Sequence, residues 1–468
     1  MVPYFPKQIS FRAVAVYLFA LILISLVYFD YRMPARYVIL GLICVLGFFF
    51  LSSYLTNVWR QKKVKDFVTG LFIVAFLLRL AWVVYFYYNC IHLTGSPFEP
   101  GAADSIGYHG EAEWLAGENW NVAMKYYFGA GSFGISDVGY PLYLTVLYKT
   151  FGVNVFYPRV IKAILSSITC ILIYRVSSRT FGEEVGKMAG IMTALMPNLI
   201  VYCGYHLKET EMLFLEVAFI ERLDYVIRSK KITIWNSILP LLLAGVLFSF
   251  RTLIGAAAVF AFVSTVLLSS TPLMKKGWRR ATLLGWGILG LVVIGGGRAA
   301  MEVETMWEGR YSNVENKRME QTIRGNRWAQ YATGTVMAPM AFVLPFATMV
   351  DVDNQYNQQE KSGGNYIRNF MGFFTLLAIY EALRRRQWRN FILIGSFVIA
   401  YLGVVSLSGF SNSERFLLPG LPCLIMMWAY GISTLRGNTF RLLNPWCLIV
   451  FLMEFGWAFF KLGSRGIL

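Results

Sequence analysis

Apolar segments long enough to cross a hydrocarbon core recur along almost the whole chain, and this recurrence limits the fold more than any other feature. A bilayer interior offers no hydrogen bonds to a backbone, so a spanning segment must satisfy its own, which about 20 residues of α-helix achieve. With 57% hydrophobic and 15% charged residues among 468, no stretch remains for a soluble domain of ordinary size. The first run, near 13–29, has further spans behind it and no small-residue cleavage site, so it reads as a retained helix rather than a signal peptide. The six cysteines lie mostly inside apolar segments without paired spacing, which argues against a disulfide framework and a metal cluster.

A net charge of +17 could indicate a nucleic-acid partner. The basic residues instead cluster in short loops between apolar runs, which is how membrane topology is encoded. Lys7 and Arg12 precede the first helix; Arg60, Lys62, Lys63 and Lys65 follow the second. Later clusters are Arg175 and Arg179; Arg222, Arg228, Lys230 and Lys231; Lys275, Lys276, Arg279 and Arg280; and Arg384, Arg385, Arg386 and Arg389. Placing all of these in the cytoplasm requires spans near 13–29, 36–55, 67–88, 156–176, 186–204, 209–226, 232–249, 252–270, 281–297, 367–384, 391–408, 416–434 and 441–460. The expectation is an all-α polytopic membrane protein with roughly thirteen transmembrane helices and interfacial helices on the outer side.

The same parity puts the other polar segments outside: 89–155, His206 to Glu209, Arg251, 298–366 and Gly409 to Arg415. All three histidines, His92, His109 and His206, are among them. The count works only if Gly139 to Gly152 and Val336 to Val350 are interfacial or re-entrant helices, being short for a span at about 15 residues or fewer.

Within 89–155, Asp104, Tyr108, Glu111 and Leu115 share one helical face, with His109 in the same stretch, which reads as an amphipathic helix at the interface. Asp104 at its start is either an N-cap or, with Asp137 at the far end of the loop, one of two carboxylates available as base and as ligand for a cation or substrate. His206, Lys208, Glu209 and Glu211 form either a solvated turn or a second polar centre. Glu216 and Glu221 continue down the next helix, where acids usually face a cavity or a partner. Arg251 and Arg415 offer rigid forks of donors that match phosphate oxygens, against the alternative of interface anchors that snorkel to headgroups. Arg310, Lys317, Arg318, Arg324 and Arg327, beside Tyr311, Trp328 and Tyr331, read mainly as mixed charge on a solvated segment.

The order of these elements resembles the GT-C superfamily of membrane glycosyltransferases, which includes the protein O-mannosyltransferases and the lipid A aminoarabinose transferases. The resemblance rests on Asp104 with Tyr108 after a long helix, then Gly139-Tyr140-Pro141-Leu142-Tyr143 running to Leu147-Tyr148-Lys149-Thr150-Phe151-Gly152, and then Arg159. Ile173-Tyr174-Arg175 with Thr180-Phe181-Gly182, the outer Glu209, and Arg415-Phe416-Leu417-Leu418-Pro419 complete it. It covers residues 67–435, with two extra N-terminal helices in 1–66 and a C-terminal helix in 436–468. Ser105 stands where the family carries a second acid, and Asp137-Val138-Gly139-Tyr140-Pro141 replaces its lysine–proline–proline stretch.

The resemblance implies that Asp104 and Glu209 are active-site carboxylates and that Arg415 holds a donor phosphate. Tyr108, His109, Asp137, Arg159, His206, Lys208 and Arg251 are the further candidate substrate-binding residues. The expected reaction is inverting transfer of a sugar from a polyprenyl-phosphate carrier to a hydroxyl of a glycan, lipid or protein at the extracytoplasmic face of a plasma membrane. Asp104 and Glu209 are compatible with a divalent cation, Mg or Mn, though nothing requires one; no nucleic acid is expected. A lipid-linked oligosaccharide polymerase and a transporter or flippase are the competing classes. A transporter would more often show internal repeats and paired helix breaks near the midplane, and neither is evident.

Overall fold

The computed structural model describes residues 2–129, 135–229, 234–268, 338–352, 356–407 and 413–467, with scattered positions between 277 and 319. These residues are almost entirely helical, and no strand is present among them. Seven helices are long and apolar enough to cross a membrane, or eight if the bent pair Glu183–Leu195 and Pro197–Gly204 counts as one span. The chain is a multi-pass membrane protein. Glu209–Arg228 and Ser362–Arg384 have the length of spans but carry many polar groups. Ile234–Phe250 and Thr252–Leu268 are shorter, at 17 residues each. Most of the span expected at 281–297 and most of the outer segment 298–366, with Arg310, Lys317, Arg318, Arg324 and Arg327, lie outside the described residues.

The helices give the molecule two chemically different ends. Val64–Thr94 starts beside Arg60 to Lys65, and the bent pair starts there too, because Lys187 Nζ donates to the carbonyls of Arg60 and Lys62 at 2.9 and 2.8 Å. Phe156–Phe181, Glu209–Arg228 and Ser362–Arg384 finish at the same basic end, with Arg179, Arg228 and Arg384 in their last turns. Their opposite ends carry His206, Lys208, Glu209, Lys361 and the segment around Asp104. Among the described residues, the basic groups at Arg60 to Lys65, Arg179, Arg228 and Arg384 thus sit together, and the candidate chemistry gathers away from them. The first and last spans pack on each other through Phe19 with Phe451 and Tyr28 with Phe455, at ring distances of 5.0 and 5.9 Å.

The bend of 43° between Leu195 and Pro197 has an identifiable cause. Pro197 has no N–H, so the carbonyl of Thr193, four residues back, loses its helical donor. Arg79, wholly buried in the long helix Val64–Thr94, takes over. Its Nη2 donates to Thr193 O at 3.2 Å and its Nη1 to Ala194 O at 3.1 Å, while Nε donates to Ser166 Oγ at 2.7 Å. An arginine in an apolar span is costly unless its donors are satisfied, and here the broken helix satisfies them. Sequence reading passed over Arg79.

The apolar piece Val336 to Val350, expected as an interfacial or re-entrant helix, is different where it is described. A short turn at Ala338–Met340 leads into extended chain with a cis bond at Leu344–Pro345, ending where Val350 bridges Arg32. Pro339 and Pro345 withhold donors that a helix would need. Irregular backbone at this depth requires partners from the protein, and Ser362–Arg384 provides them. Asn369 Nδ2 donates to the carbonyls of Val343 and Pro345 at 2.6 and 2.9 Å, and Arg368 Nη2 to that of Ala341 at 3.1 Å.

The start of Ser362–Arg384 packs closely because two residues there lack a Cβ. One added at Gly364 would fall 1.9 Å from Asn198 Oδ1, and one at Gly363 would fall 2.9 Å from Cys44 Cβ.

Candidate active site

Five short elements assemble the polar end. Val64–Thr94 is 31 residues long, about 46 Å at 1.5 Å per residue, so it outruns a hydrocarbon core of about 30 Å and ends in Gly95, left-handed at φ 71°. The chain then turns through Pro97 and Glu99 into the helix Ala103–Gly117. That helix lies against Gly139–Phe151, the short helix expected between Gly139 and Gly152, through a hydrogen bond of 2.8 Å between His109 Nδ1 and the Tyr148 hydroxyl. The loop Tyr205–Lys208 and the starts of Glu209–Arg228 and Glu414–Leu417 complete the group.

Asp104 is not the helix cap. Ala102 holds that position, and the Asp104 carboxylate instead accepts a hydrogen bond from Arg415 Nη1. Arg415 Nε donates to Glu209 Oε1, so one guanidinium joins two carboxylates that lie 105 positions apart in sequence. The pair is asymmetric: the Asp104 side chain is 56% exposed, that of Glu209 is fully buried, and that of Arg415 is 22% exposed. Glu209 has a second cation, Arg251, whose Nη2 is 3.3 Å from the same oxygen. Arg251 is fixed in turn by the Tyr401 hydroxyl at 3.4 Å and by the Phe416 ring, 4.4 Å from its guanidinium carbon.

Lys208 pairs with Asp137 and donates to Phe250 O at 2.6 Å. Asp137 adopts a left-handed conformation at φ 73°, which aspartate tolerates better than most residues, and its Oδ1 lies 3.4 Å from the Tyr108 hydroxyl. Burial and the neighbouring Arg251 bring the Lys208 ammonium down to about 7, against the opposing pull of Glu209 and Asp104. Burial also raises the Tyr108 phenol, opposed by Arg415.

A cleft of ≈ 250 Å³ opens beside this network, with Glu99, Asp104, Ser105, Tyr202, Lys361 and Arg415 among its lining. Lys361 is the second cation on the wall: its Nζ is 3.0 Å from Glu414 Oε2, and Glu414 accepts from Asn198 Nδ2 at 2.6 Å and from the Tyr202 hydroxyl at 3.0 Å. Glu99 accepts from the Ser105 hydroxyl. Sequence reading missed Lys361, Glu99 and Tyr202, and it gave no role to Glu414. Starting the span at 367 rather than at Ser362 left Lys361 in a loop, although it occupies the N-cap of that helix.

The other candidates lie elsewhere. His206 is buried, with Nε2 3.2 Å from the Tyr148 hydroxyl, so His109, Tyr148 and His206 form a separate chain of hydrogen bonds. Burial lowers both imidazoles, with Lys162 and Arg159 adding to the effect on His206. Arg159 is buried, and its Nη2 donates to Pro97 O at 2.6 Å, steadying the turn that carries Glu99. Glu216 is buried, with neither oxygen hydrogen-bonded among the described residues. Glu221 binds Arg179 at 2.9 Å, among the basic clusters.

As for a divalent cation, Arg415 binds both Asp104 and Glu209, and no three His, Cys, Asp or Glu groups among the described residues converge to hold a metal ion. These residues therefore do not form a cation site in this arrangement.

No protein-family model and no curated protein sequence matches the chain. Solved structures do. ArnT from Cupriavidus metallidurans bound to undecaprenyl phosphate is similar with a TM-score of 0.51 at 14% identity, covering 83% of this chain and 64% of that one. The Archaeoglobus fulgidus oligosaccharyltransferase tethered with an acceptor peptide containing the NVT sequon gives a TM-score of 0.47 at 12% identity, over 87% of this chain and 56% of that one. The same enzyme, AglB, in complex with an inhibitory peptide and a dolichol-phosphate gives 0.45 at 12% identity, over 86% and 56%. The chain thus spans less than two thirds of the length of these structures. Such identities speak for the fold alone, which is similar to that of ArnT.

Proposed function

We propose that this chain is an inverting glycosyltransferase that moves a sugar from a polyprenyl-phosphate carrier to an acceptor hydroxyl at the extracytoplasmic membrane face. The observation that carries the reading is Arg415, held between Asp104 and Glu209 on the wall of a cleft with Lys361 on the same wall. A leaving phosphate needs cations and an attacking hydroxyl needs a carboxylate base, and the cleft offers both. The undecaprenyl phosphate in the ArnT structure supports a carrier of that class.

In this reading the acceptor oxygen attacks the anomeric carbon, Asp104 takes its proton, and the bond from that carbon to the phosphate oxygen breaks on the opposite face. The carrier leaves as a phosphate monoester with one more negative charge. Arg415 stabilises that charge, with Lys361 and Lys208 nearby and Glu209 orienting Arg415. A single displacement inverts the anomeric centre. The outer placement rests on the positive-inside rule, since the described basic clusters occupy the other end. Residues 67–435 are taken as the catalytic unit, with 1–66 and 436–468 as accessory spans.

The test is sugar release from a panel of polyprenyl-phosphate sugars by the purified protein and by Asp104→Asn. Turnover of one donor by the wild type alone supports the reading. Absence of turnover and of binding across the panel overturns it and favours a transporter.

A further inference from the structure

The two carboxylates on Arg415 differ in how readily they can let it go. Glu209 is fully buried and has Arg251 as well, at 3.3 Å. Asp104 is 56% exposed, and Arg415 is its only ion-pair partner among the described residues. Water can replace a guanidinium at an exposed carboxylate with little loss, whereas a buried carboxylate stripped of its cation is strongly disfavoured. Any anion that competes for Arg415 will therefore displace Asp104 and leave Glu209 in place. The nitrogen released, Nη1, belongs to a group on the cleft wall.

Resting on the glycosyltransferase reading, we propose that Arg415 holds Asp104 in reserve and that the donor phosphate releases it, so that the acceptor-activating carboxylate becomes available only after the donor has bound. Before binding, Asp104 Oδ2 is paired with Arg415 Nη1, which holds the carboxylate turned toward the guanidinium instead of toward an acceptor hydroxyl. When phosphate oxygens take that nitrogen, the guanidinium keeps its Nε bond to Glu209 and stays positioned, and Asp104 turns free at the mouth of the cleft. Arg251 is then a positioning residue, because it keeps Glu209 neutralised while Arg415 is shared with the phosphate. The arrangement imposes a donor-first order without a moving lid.

Asp104 and phosphate compete for one nitrogen, so removing the Asp104 charge should tighten phosphate binding. The probe is bare undecaprenyl phosphate, titrated into the detergent-purified full chain. Asp104→Asn is expected to bind about three- to fivefold more tightly than wild type, the range an exposed ion pair would be worth. Glu113→Gln removes a carboxylate from the same helix that pairs with His109 rather than Arg415, and should stay within about twofold. Asp104→Ser provides the same reading if Asp104→Asn does not fold. Unchanged or weaker binding by the Asp104 variants, beside a wild type that binds, overturns the proposal alone. Equal tightening by Glu113→Gln also overturns it, by reducing the effect to net charge. A wild type that fails to bind the carrier overturns the glycosyltransferase reading and the proposal together.

Discussion

Asp104 and Glu209 are bound by two different nitrogens of one guanidinium, one carboxylate open to solvent and the other sealed from it. The two acids therefore differ in how freely each can act, and each should respond differently to mutation.

Asp104→Asn keeps the size of the side chain and removes its capacity as a base. Turnover should fall by about 10²- to 10⁴-fold, the usual share of a general base, while thermal stability stays near wild type because the group is exposed. Single-turnover sugar transfer beside a melting curve checks both; a large loss of melting temperature would mark Asp104 as structural.

Arg251→Met should destabilise the protein by about 1.5–3 kcal/mol, the worth of a hydrogen bond to a charged group, since it strips one of two cations from a buried carboxylate and leaves Arg415 in place. Adding Glu209→Gln should recover much of that loss in stability but none in activity. A double-mutant cycle on the melting free energies measures the coupling, and strict additivity would refute a direct interaction.

Lys208 titrates near 7, so it is charged below that pH and neutral above. A polyprenyl phosphodiester has no titration of its own in this range, and its affinity should fall as pH rises from about 6 to 8. Lys208→Arg, charged throughout, should flatten the curve. The sign for stability is opposite: the folded value lies below the ordinary 10.5, so the unfolded chain holds more protons between about 7 and 10.5, and Lys208 makes the fold more stable as pH rises through that window.

Arg79→Met should cost about 1–3 kcal/mol, from the buried Ala194 carbonyl that loses its donor, while Thr193 O keeps a long bond of 3.4 Å from Met196 N. Pro197→Ala in the same chain should restore part of this by returning an N–H to Thr193 O. Thermal unfolding in detergent measures both, and an Arg79→Met protein as stable as wild type would contradict the account of the bend.

Most of the membrane-length helices were legible because apolar runs separated by basic loops leave few alternatives. The gathering of Asp104, Glu209, Lys208, Arg251 and Arg415 was legible too, through the parity of those loops. What stayed hidden depended on distance in sequence. Nothing local marks Lys361 as the partner of Glu414, or Arg79 as the donor for Thr193, because each pair meets only when separate helices pack. Asp104 could be read as a cap or as a free acid, and only the position of Arg415, 311 residues away, decides between them. The stretch from Val336 to Val350 misled because its hydrophobicity matched a helix while its prolines and the donors of Asn369 and Arg368 favoured extended chain.

Arg79 also bears on how the protein is made. A guanidinium entering lipid as part of a lone helix is penalised by about 2.5–3.5 kcal/mol, and its hydrogen-bonding groups on Ser166, Thr193 and Ala194 are synthesised about a hundred residues later. The apolar residues of the same helix offset that cost, and the bent pair relieves it once it has been made. For this chain, helices further along the sequence complete the solvation of an earlier one.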